Sequence, residues 1–148
     1  MDKLNLPSYD HKVKQDGGKV LIFDEIRRKY VVLTPEEWVR QHFVHFLINS
    51  LGYSKGLIKI EGGIKYNNLQ KRSDLVAYDR NSQPYLLVEC KAPEVYLNQA
   101  TFRQAAMYNK TIGAKYVVLT NGFEHSCFTY NKDTNKVEFL DQLPKFEP

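Results

Sequence analysis

Several features are scarce in this chain of 148 residues, and each scarcity excludes a class of protein. Only two cysteines occur, Cys90 and Cys127, which excludes a disulfide framework and favours a reducing compartment. No apolar run approaches the roughly 20 residues of a membrane-spanning helix, and residues 1–7 lack a basic-then-apolar secretory pattern. There is also no internal repeat and no low-complexity tract. The sequence therefore predicts a soluble, cytoplasmic protein that does not bind membranes.

The composition that remains is that of an ordinary folded domain. Hydrophobic residues make up 43% of the chain and charged residues 26%. A chain of this length buries about 68–70% of its extended-chain surface, which is enough for a substantial core. The 21 Lys and Arg residues exceed the 17 Asp and Glu residues, for a net charge of +4. This mild excess is compatible with a polyanionic partner but does not require one.

Local signals predict two helices between groups of short strands. Thr34 and Pro35 are typical of a helix start, and that helix is expected to end at Gly52. A second helix is expected over residues 97–112, and Asn121-Gly122 predicts a hairpin turn. This order of elements indicates an α/β fold with a mixed central β-sheet flanked by α-helices. Residues 1–17 are polar and weakly patterned, which predicts a loosely ordered leader before a single domain over residues 18–148.

The most informative segment is an apolar strand that ends in charged residues, Leu87-Val88-Glu89-Cys90-Lys91. Because strand side chains alternate, Glu89 and Lys91 are expected on one face, while Val88 and Cys90 point to the other. If the preceding turn is centred between Asn81 and Ser82, the numbers of opposed residues add up to 163. Asp74 then lies opposite Glu89, with Cβ atoms about 4.5–5.5 Å apart.

Two opposed carboxylates repel each other unless a cation lies between them. That cation is either Lys91 or a divalent metal, and Mg²⁺ and Mn²⁺ prefer carboxylate oxygen ligands. A solvent-facing strand pair that happens to carry Asp, Glu and Lys explains the same spacing. Gln104 and Tyr108 favour a site, because they are four residues apart on the second helix and share a face.

Taken together, these motifs resemble the PD-(D/E)XK nuclease superfamily. The motifs are Asp74, Glu89-Cys90-Lys91-Ala92-Pro93 and Gln104-Ala105-Ala106-Met107-Tyr108. The segments 34–41 and 120–122 make the chain more closely similar to the N-terminal nuclease domain of type I restriction enzyme R subunits. Ser73 stands where the superfamily pattern has proline, and no Gly-x-x-x-x-Gly-Lys-Ser/Thr loop occurs.

The resemblance implies a restriction-endonuclease-like fold and Mg²⁺- or Mn²⁺-dependent hydrolysis of DNA. Asp74 and Glu89 are then metal ligands, and Lys91 is the catalytic lysine. Glu37, an acidic residue of the first helix, becomes a third metal ligand, although its position also suits a capping box with Thr34.

Further residues are assigned on the same basis. Gln104 and Tyr108 become accessory residues of the site. The residues expected to contact DNA are Arg40, Lys65, Lys71 and Arg72.

Three functions remain open at this stage. The first is a stand-alone DNA endonuclease, acting as a homodimer or with a separate motor or specificity subunit. The second is a non-catalytic nucleic-acid-binding or assembly module that keeps the nuclease fold. The third is a structural domain with a surface group of Asp, Glu and Lys.

Overall fold

The computed structural model describes residues 1–60 and 75–147, which form nine strands and two α-helices. The helices are α1 (Pro35–Asn49) and α2 (Gln99–Ile112), and Lys55–Leu57 forms a short 3-10 helix. The first strands are β1 (Val13–Asp16), β2 (Lys19–Asp24), β3 (Lys29–Val32) and β4 (Ile58–Ile60). The others are β5 (Leu75–Tyr78), β6 (Pro84–Cys90), β7 (Tyr116–Thr120), β8 (His125–Asn131) and β9 (Lys136–Leu140).

Both helices lie close to the positions that local sequence signals predict, although α1 ends at Asn49, before Gly52, and α2 begins at Gln99 and not at residue 97. The Thr34 hydroxyl caps α1 by accepting the Glu37 backbone N–H at 3.0 Å. In α2, Asn98 and Thr101 accept each other's backbone N–H, which completes a capping box. Gly113 ends α2 at φ 78°, a left-handed conformation that glycine adopts without steric cost.

The strands form two sheets rather than the single central sheet that the sequence suggested. Six strands form a mixed sheet in the order β4-β5-β6-β7-β8-β9, in which β6 and β7 are parallel and the other pairs are antiparallel. Because parallel neighbours need a crossover, α2 connects β6 to β7. The first three strands form a separate antiparallel sheet in the order β1-β2-β3.

The register between β5 and β6 is the one that the turn position predicts. Leu75 pairs with Val88 and Val76 pairs with Leu87, so the numbers of opposed residues add up to 163 in each case. A register shift at Ala77/Tyr78 lies next to the turn and leaves these pairs unchanged. The prediction is therefore confirmed for the described part of this strand pair.

Each face of the six-stranded sheet is covered by one helix. Val39 and Phe43 of α1 belong to the same core cluster as Val88 and Cys90 of β6. Ala105 and Tyr108 of α2 form a second cluster on the other face. That cluster includes Val76, Leu87, Val117 and Phe128 of the sheet. Neither helix of the described residues is long and apolar enough to span a membrane.

The N-terminal residues differ from the loose leader that their polarity suggested. Residues 13–16 form β1, which pairs along its length with β2. Leu4 is buried in the main core, and the Trp38 indole N–H donates to the Asp2 carbonyl at 2.8 Å. A buried leucine and backbone hydrogen bonds hold this segment, and a polarity pattern does not reveal either kind of contact.

Candidate functional site

The central feature is a buried carboxylate beside a lysine at the end of β6. Glu89 is only 2% exposed, and its Oε1 lies 3.3 Å from the Lys91 ammonium. Val88 and Cys90 pack on the α1 side, so Glu89 alternates to the α2 side, as predicted. The Lys91 side chain keeps 23% of its surface exposed. Glu89 and Lys91 therefore form an ion pair at the solvent boundary and not on an open strand surface.

The backbone segment that follows Glu89 is hydrogen-bonded to the end of β7. The Lys91 backbone N–H donates to the Thr120 carbonyl at 2.8 Å. Residues 92–95 then form a turn closed by the Val95 N–H and the Ala92 carbonyl. The Asn121 side chain donates to the Val95 carbonyl at 2.9 Å and so attaches the far end of this turn. Both ends of the segment that follows Glu89 are thus bound to consecutive residues of β7 and its loop.

Asn121 is itself fixed in orientation. It is 4% exposed, and its Oδ1 accepts the backbone N–H groups of Phe123 and Glu124 at 3.0 and 2.8 Å. These two hydrogen bonds identify the amide oxygen, so the amide nitrogen is the group that faces Val95. Sequence reasoning assigned Asn121 to a hairpin turn and to the family resemblance of residues 120–122, but it gave the side chain no role in holding the turn after Lys91.

The N-terminal segment packs behind this loop. The Asn5 N–H donates to the Gly122 carbonyl at 2.8 Å. Gly122 has φ 91°, and a Cβ there would lie 2.8 Å from a methyl group of Leu4. The positive φ therefore favours glycine, and a side chain at this position would also force Leu4 to shift within the core.

His125 connects the N-terminal segment to Thr120. Its Nε2 lies 2.9 Å from the Asn5 carbonyl, which only accepts, so Nε2 carries the proton. The neutral Nδ1 then accepts the Thr120 hydroxyl at 2.7 Å, while that hydroxyl oxygen accepts the Gly122 N–H at 3.0 Å. Burial lowers the pKa of His125 below its usual value, which favours this neutral form.

We expect Asn121→Asp to loosen Lys91 without unfolding the domain. The new carboxylate still accepts the N–H groups of Phe123 and Glu124, but it loses the donor to Val95 and faces that carbonyl with a negative charge. Amide hydrogen exchange at Lys91 and Val95 should become about tenfold faster or more. The matched control is Asn131→Asp, a partly exposed asparagine at the end of β8 whose Oδ1 also accepts two backbone N–H groups. Unchanged exchange at Lys91 in Asn121→Asp would contradict this role.

Glu37, the predicted acidic residue of α1, lies in a buried network of ion pairs. Its Oε1 lies 3.0 Å from a nitrogen of Arg27 and 2.5 Å from a nitrogen of Arg40. Its Oε2 accepts the Gln41 side-chain N–H at 2.9 Å. Arg27 also pairs with the buried Asp24. Because both oxygens of Glu37 have cationic or N–H partners, metal binding would require these contacts to be displaced.

Arg40 has a different environment from the predicted phosphate contact. It is 1% exposed and pairs with Glu36 at 3.1 Å as well as with Glu37. Burial alone would lower its pKa, but the nearby Cys90, Glu37 and Glu36 raise it above the usual value. A guanidinium this deeply buried cannot reach a DNA backbone in this conformation. Arg40 is instead an internal counter-ion between α1 and β6.

The remaining predicted residues divide into two groups. Tyr108 is buried on the same face of the sheet as Glu89, whereas Gln104 is exposed one turn earlier on α2. The other predicted residues lie outside the described part of the chain, namely Asp74, Lys65, Lys71 and Arg72. Within residues 1–60 and 75–147, no group of three His, Cys, Asp or Glu side chains is arranged to hold a metal.

A family model matches most of this chain. Residues 35–144 match the family described as type I restriction enzyme R protein N terminus (HSDR_N). This chain belongs to that family. The match begins at α1 and ends after β9, so it includes both helices and the whole six-stranded sheet but not β1–β3.

One solved structure is also similar to this HSDR_N domain. It is a fragment assigned as the HsdR subunit of a type I restriction enzyme from Vibrio vulnificus YJ016. The TM-score is 0.45 and the sequence identity 19%, and the alignment covers 76% of the present chain. The present chain spans 24% of the length of that relative. No curated protein matches the sequence.

Proposed function

We propose that this HSDR_N domain is a metal-dependent endodeoxyribonuclease, and the observation that carries the proposal is the buried Glu89–Lys91 pair. Removing a carboxylate from water is costly unless the charge has a use or a partner. This pair lies at the end of a central strand that is buried on both faces, whereas a group of surface charges would lie on exposed strand positions. Perturbed or buried charges of this kind cluster at functional sites.

The second proposed ligand is Asp74. The β5–β6 register pairs Leu75 with Val88. We propose that the same register continues by one residue, which would place Asp74 opposite Glu89. We propose that these two carboxylates hold Mg²⁺ or Mn²⁺, which fits the preference of both ions for carboxylate oxygen. When bound, the metal supplies Lewis acidity at a phosphoryl oxygen and lowers the pKa of water. Glu37 is not included as a ligand, because its carboxylate already contacts Arg27, Arg40 and Gln41.

Lys91 is the proposed catalytic residue for hydrolysis. In that reaction water adds to phosphorus, and the bond from phosphorus to one ester oxygen breaks. The Lys91 ammonium is placed to orient the water or to stabilise the negative charge that develops on the phosphoryl oxygens. Tyr108, buried on the same face of the sheet as Glu89, and Gln104, exposed one turn earlier, are the proposed accessory residues of α2.

The proposed substrate is DNA, and the proposed partners are other subunits of a restriction system. Both follow from the family, whose description names the R protein of type I restriction enzymes. We also propose that any motor or specificity function is supplied by a separate subunit or by additional domains of a longer polypeptide.

Metal binding and cleavage together test the proposal. Mn²⁺ at 100 times its Kd should stabilise the native protein by about 2.7 kcal/mol, because it binds only the folded state. In a domain of this size that raises the Tm by roughly 5–10 °C. Supercoiled plasmid should be cleaved in Mn²⁺ and left intact in EDTA. Asp74→Asn and Glu89→Gln should each lose both effects, whereas Asp133→Asn, in the exposed turn between β8 and β9, should keep both.

The non-catalytic module makes the opposite prediction. If Mn²⁺ does not change the Tm and no DNA is cleaved, the domain keeps the family fold but acts through binding or assembly alone. If the metal binds and Lys91 variants cleave as fast as wild type, the site is hydrolytic but the role of the lysine is wrong.

A further inference from the structure

The outer face of the three-stranded sheet carries an aromatic and cationic surface that lies outside the proposed cleavage site. Side chains of these strands alternate between two faces. Ile22 and Val31 point inward, and Ile22 is fully buried in the main core. The outward residues are Lys12, Lys14, Leu21, Phe23, Tyr30 and Val32, and we call them the β1–β3 outer face.

Two aromatic rings lie together on this outer face. Phe23 and Tyr30 are directly opposed on β2 and β3, and their centroids are 5.3 Å apart with an interplanar angle of 70°. Both rings are half-buried, and Val32 on the same face is 48% exposed. The sheet therefore leaves apolar and aromatic surface in contact with water on the side away from the core.

An exposed lysine lies over each of these rings. The Lys14 ammonium is 4.1 Å from the centroid of Tyr30, and the Lys12 ammonium is 5.8 Å from the centroid of Phe23. Both lysines are exposed, so the ring surfaces beneath them face outward. A cation over a ring is worth only about 0.5–1 kcal/mol at an exposed site, so a stacking base can displace it. The displaced ammonium then remains close enough to pair with a phosphate.

The charge of the face favours a polyanion. Lys12, Lys14 and Lys19 point outward, and the outward acidic residue Asp16 is opposed to Lys19 in the β1–β2 register. Among the described residues, neither lysine over the rings has an acidic residue opposed to it, because Lys14 is opposed to Leu21 and Lys12 lies beside Phe23. Proteins bind single-stranded nucleic acids by combining lysines, which pair with the phosphates, and aromatic rings, on which the bases stack.

We propose that the β1–β3 outer face binds single-stranded DNA. Unpaired bases stack on Tyr30 and Phe23, and the flanking phosphates pair with Lys14 and Lys12. A duplex does not offer its base faces, so it gains only the phosphate contacts. Apart from its charged groups, the face presents only the Tyr30 hydroxyl and no side-chain amide, so it has little with which to select a ribose 2′-hydroxyl. This surface lies in residues 12–32, before the matched family region begins at residue 35.

Binding is measured in EDTA, so the result does not depend on cleavage. Fluorescence anisotropy of a labelled 20-nucleotide DNA of mixed sequence gives the Kd of the full chain at several salt concentrations. Tyr30→Ala should weaken binding at least fivefold, and Tyr30→Phe should bind as wild type, because the ring is kept. Lys12→Ala/Lys14→Ala should lower the salt slope by about 1.4, since each phosphate contact to a single strand contributes roughly 0.7.

Matched controls separate this face from general charge attraction. Lys132→Ala/Lys136→Ala removes the same charge from the exposed β8–β9 turn of the other sheet and should change the Kd less than twofold. The proposal is overturned if the two lysine pairs have equal effects or if Lys12→Ala/Lys14→Ala binds as wild type. It is also overturned if a 20-base-pair duplex, an RNA of the same sequence or an acidic peptide binds more tightly than the single strand.

Discussion

Replacing Lys91 with methionine is expected to slow DNA cleavage at least 100-fold while leaving the domain folded. Methionine keeps most of the aliphatic side chain but removes the ammonium that lies 3.3 Å from Glu89. Removing one group that stabilises developing charge in an active site typically costs 100- to 1,000-fold in rate. The measurement is single-turnover cleavage of supercoiled plasmid in Mn²⁺, with the Tm of each variant recorded alongside.

Two control variants make this result specific to the position of the charge. Lys132→Met removes a lysine from the exposed β8–β9 turn and should cleave as wild type. Lys91→Arg keeps a positive charge but replaces a compact ammonium by a planar group, so partial activity is expected. A Lys91→Met protein that cleaves at the wild-type rate would refute the catalytic assignment. A folded but inactive wild-type protein would refute the proposed function as a whole.

Replacing Arg40 with methionine is expected to lower the free energy of unfolding by about 3–5 kcal/mol. Arg40 is 1% exposed and pairs with Glu36 and Glu37, so its loss removes positive charge from beside a buried carboxylate. In a domain of this size the change lowers the Tm by roughly 10 °C or more. Urea unfolding followed by circular dichroism measures it directly.

A double-mutant cycle tests whether the effect comes from the pair. Arg40→Met and Glu37→Met together should cost at least 1 kcal/mol less than the sum of the two single changes, because neither charge is then left alone. Arg28→Met is the matched control, since Arg28 has 70% of its side chain exposed and lies 3.9 Å from Glu25. It should change the stability by less than about 0.5 kcal/mol. A loss below 1 kcal/mol in Arg40→Met, together with weaker DNA binding, would restore the phosphate contact that the sequence predicts.

Local chemistry explains the part of this structure that could be predicted. The side-chain oxygens of Thr34 and Asn98 cap their helices by accepting backbone N–H groups three residues later. Gly113 takes a left-handed conformation that few other residues adopt. The β5–β6 register follows from the position of one turn between adjacent strands. The same alternation placed Glu89 and Lys91 together, and the ion pair confirms it. Each of these features depends on residues close in sequence.

The sequence by itself thus determined the helices, the register and the pairing of Glu89 with Lys91. Only the tertiary structure decided that Arg27, from the turn between β2 and β3, binds Glu37 and that Asn121 holds the turn after Lys91. It also decided that the N-terminal segment packs on a loop more than 100 residues away, as the hydrogen bond from Asn5 to Phe123 shows. The reason is physical. A cap or a turn is specified by short-range sterics and hydrogen bonds, whereas the partner of a buried charge is chosen by whichever distant groups the packed core brings within reach.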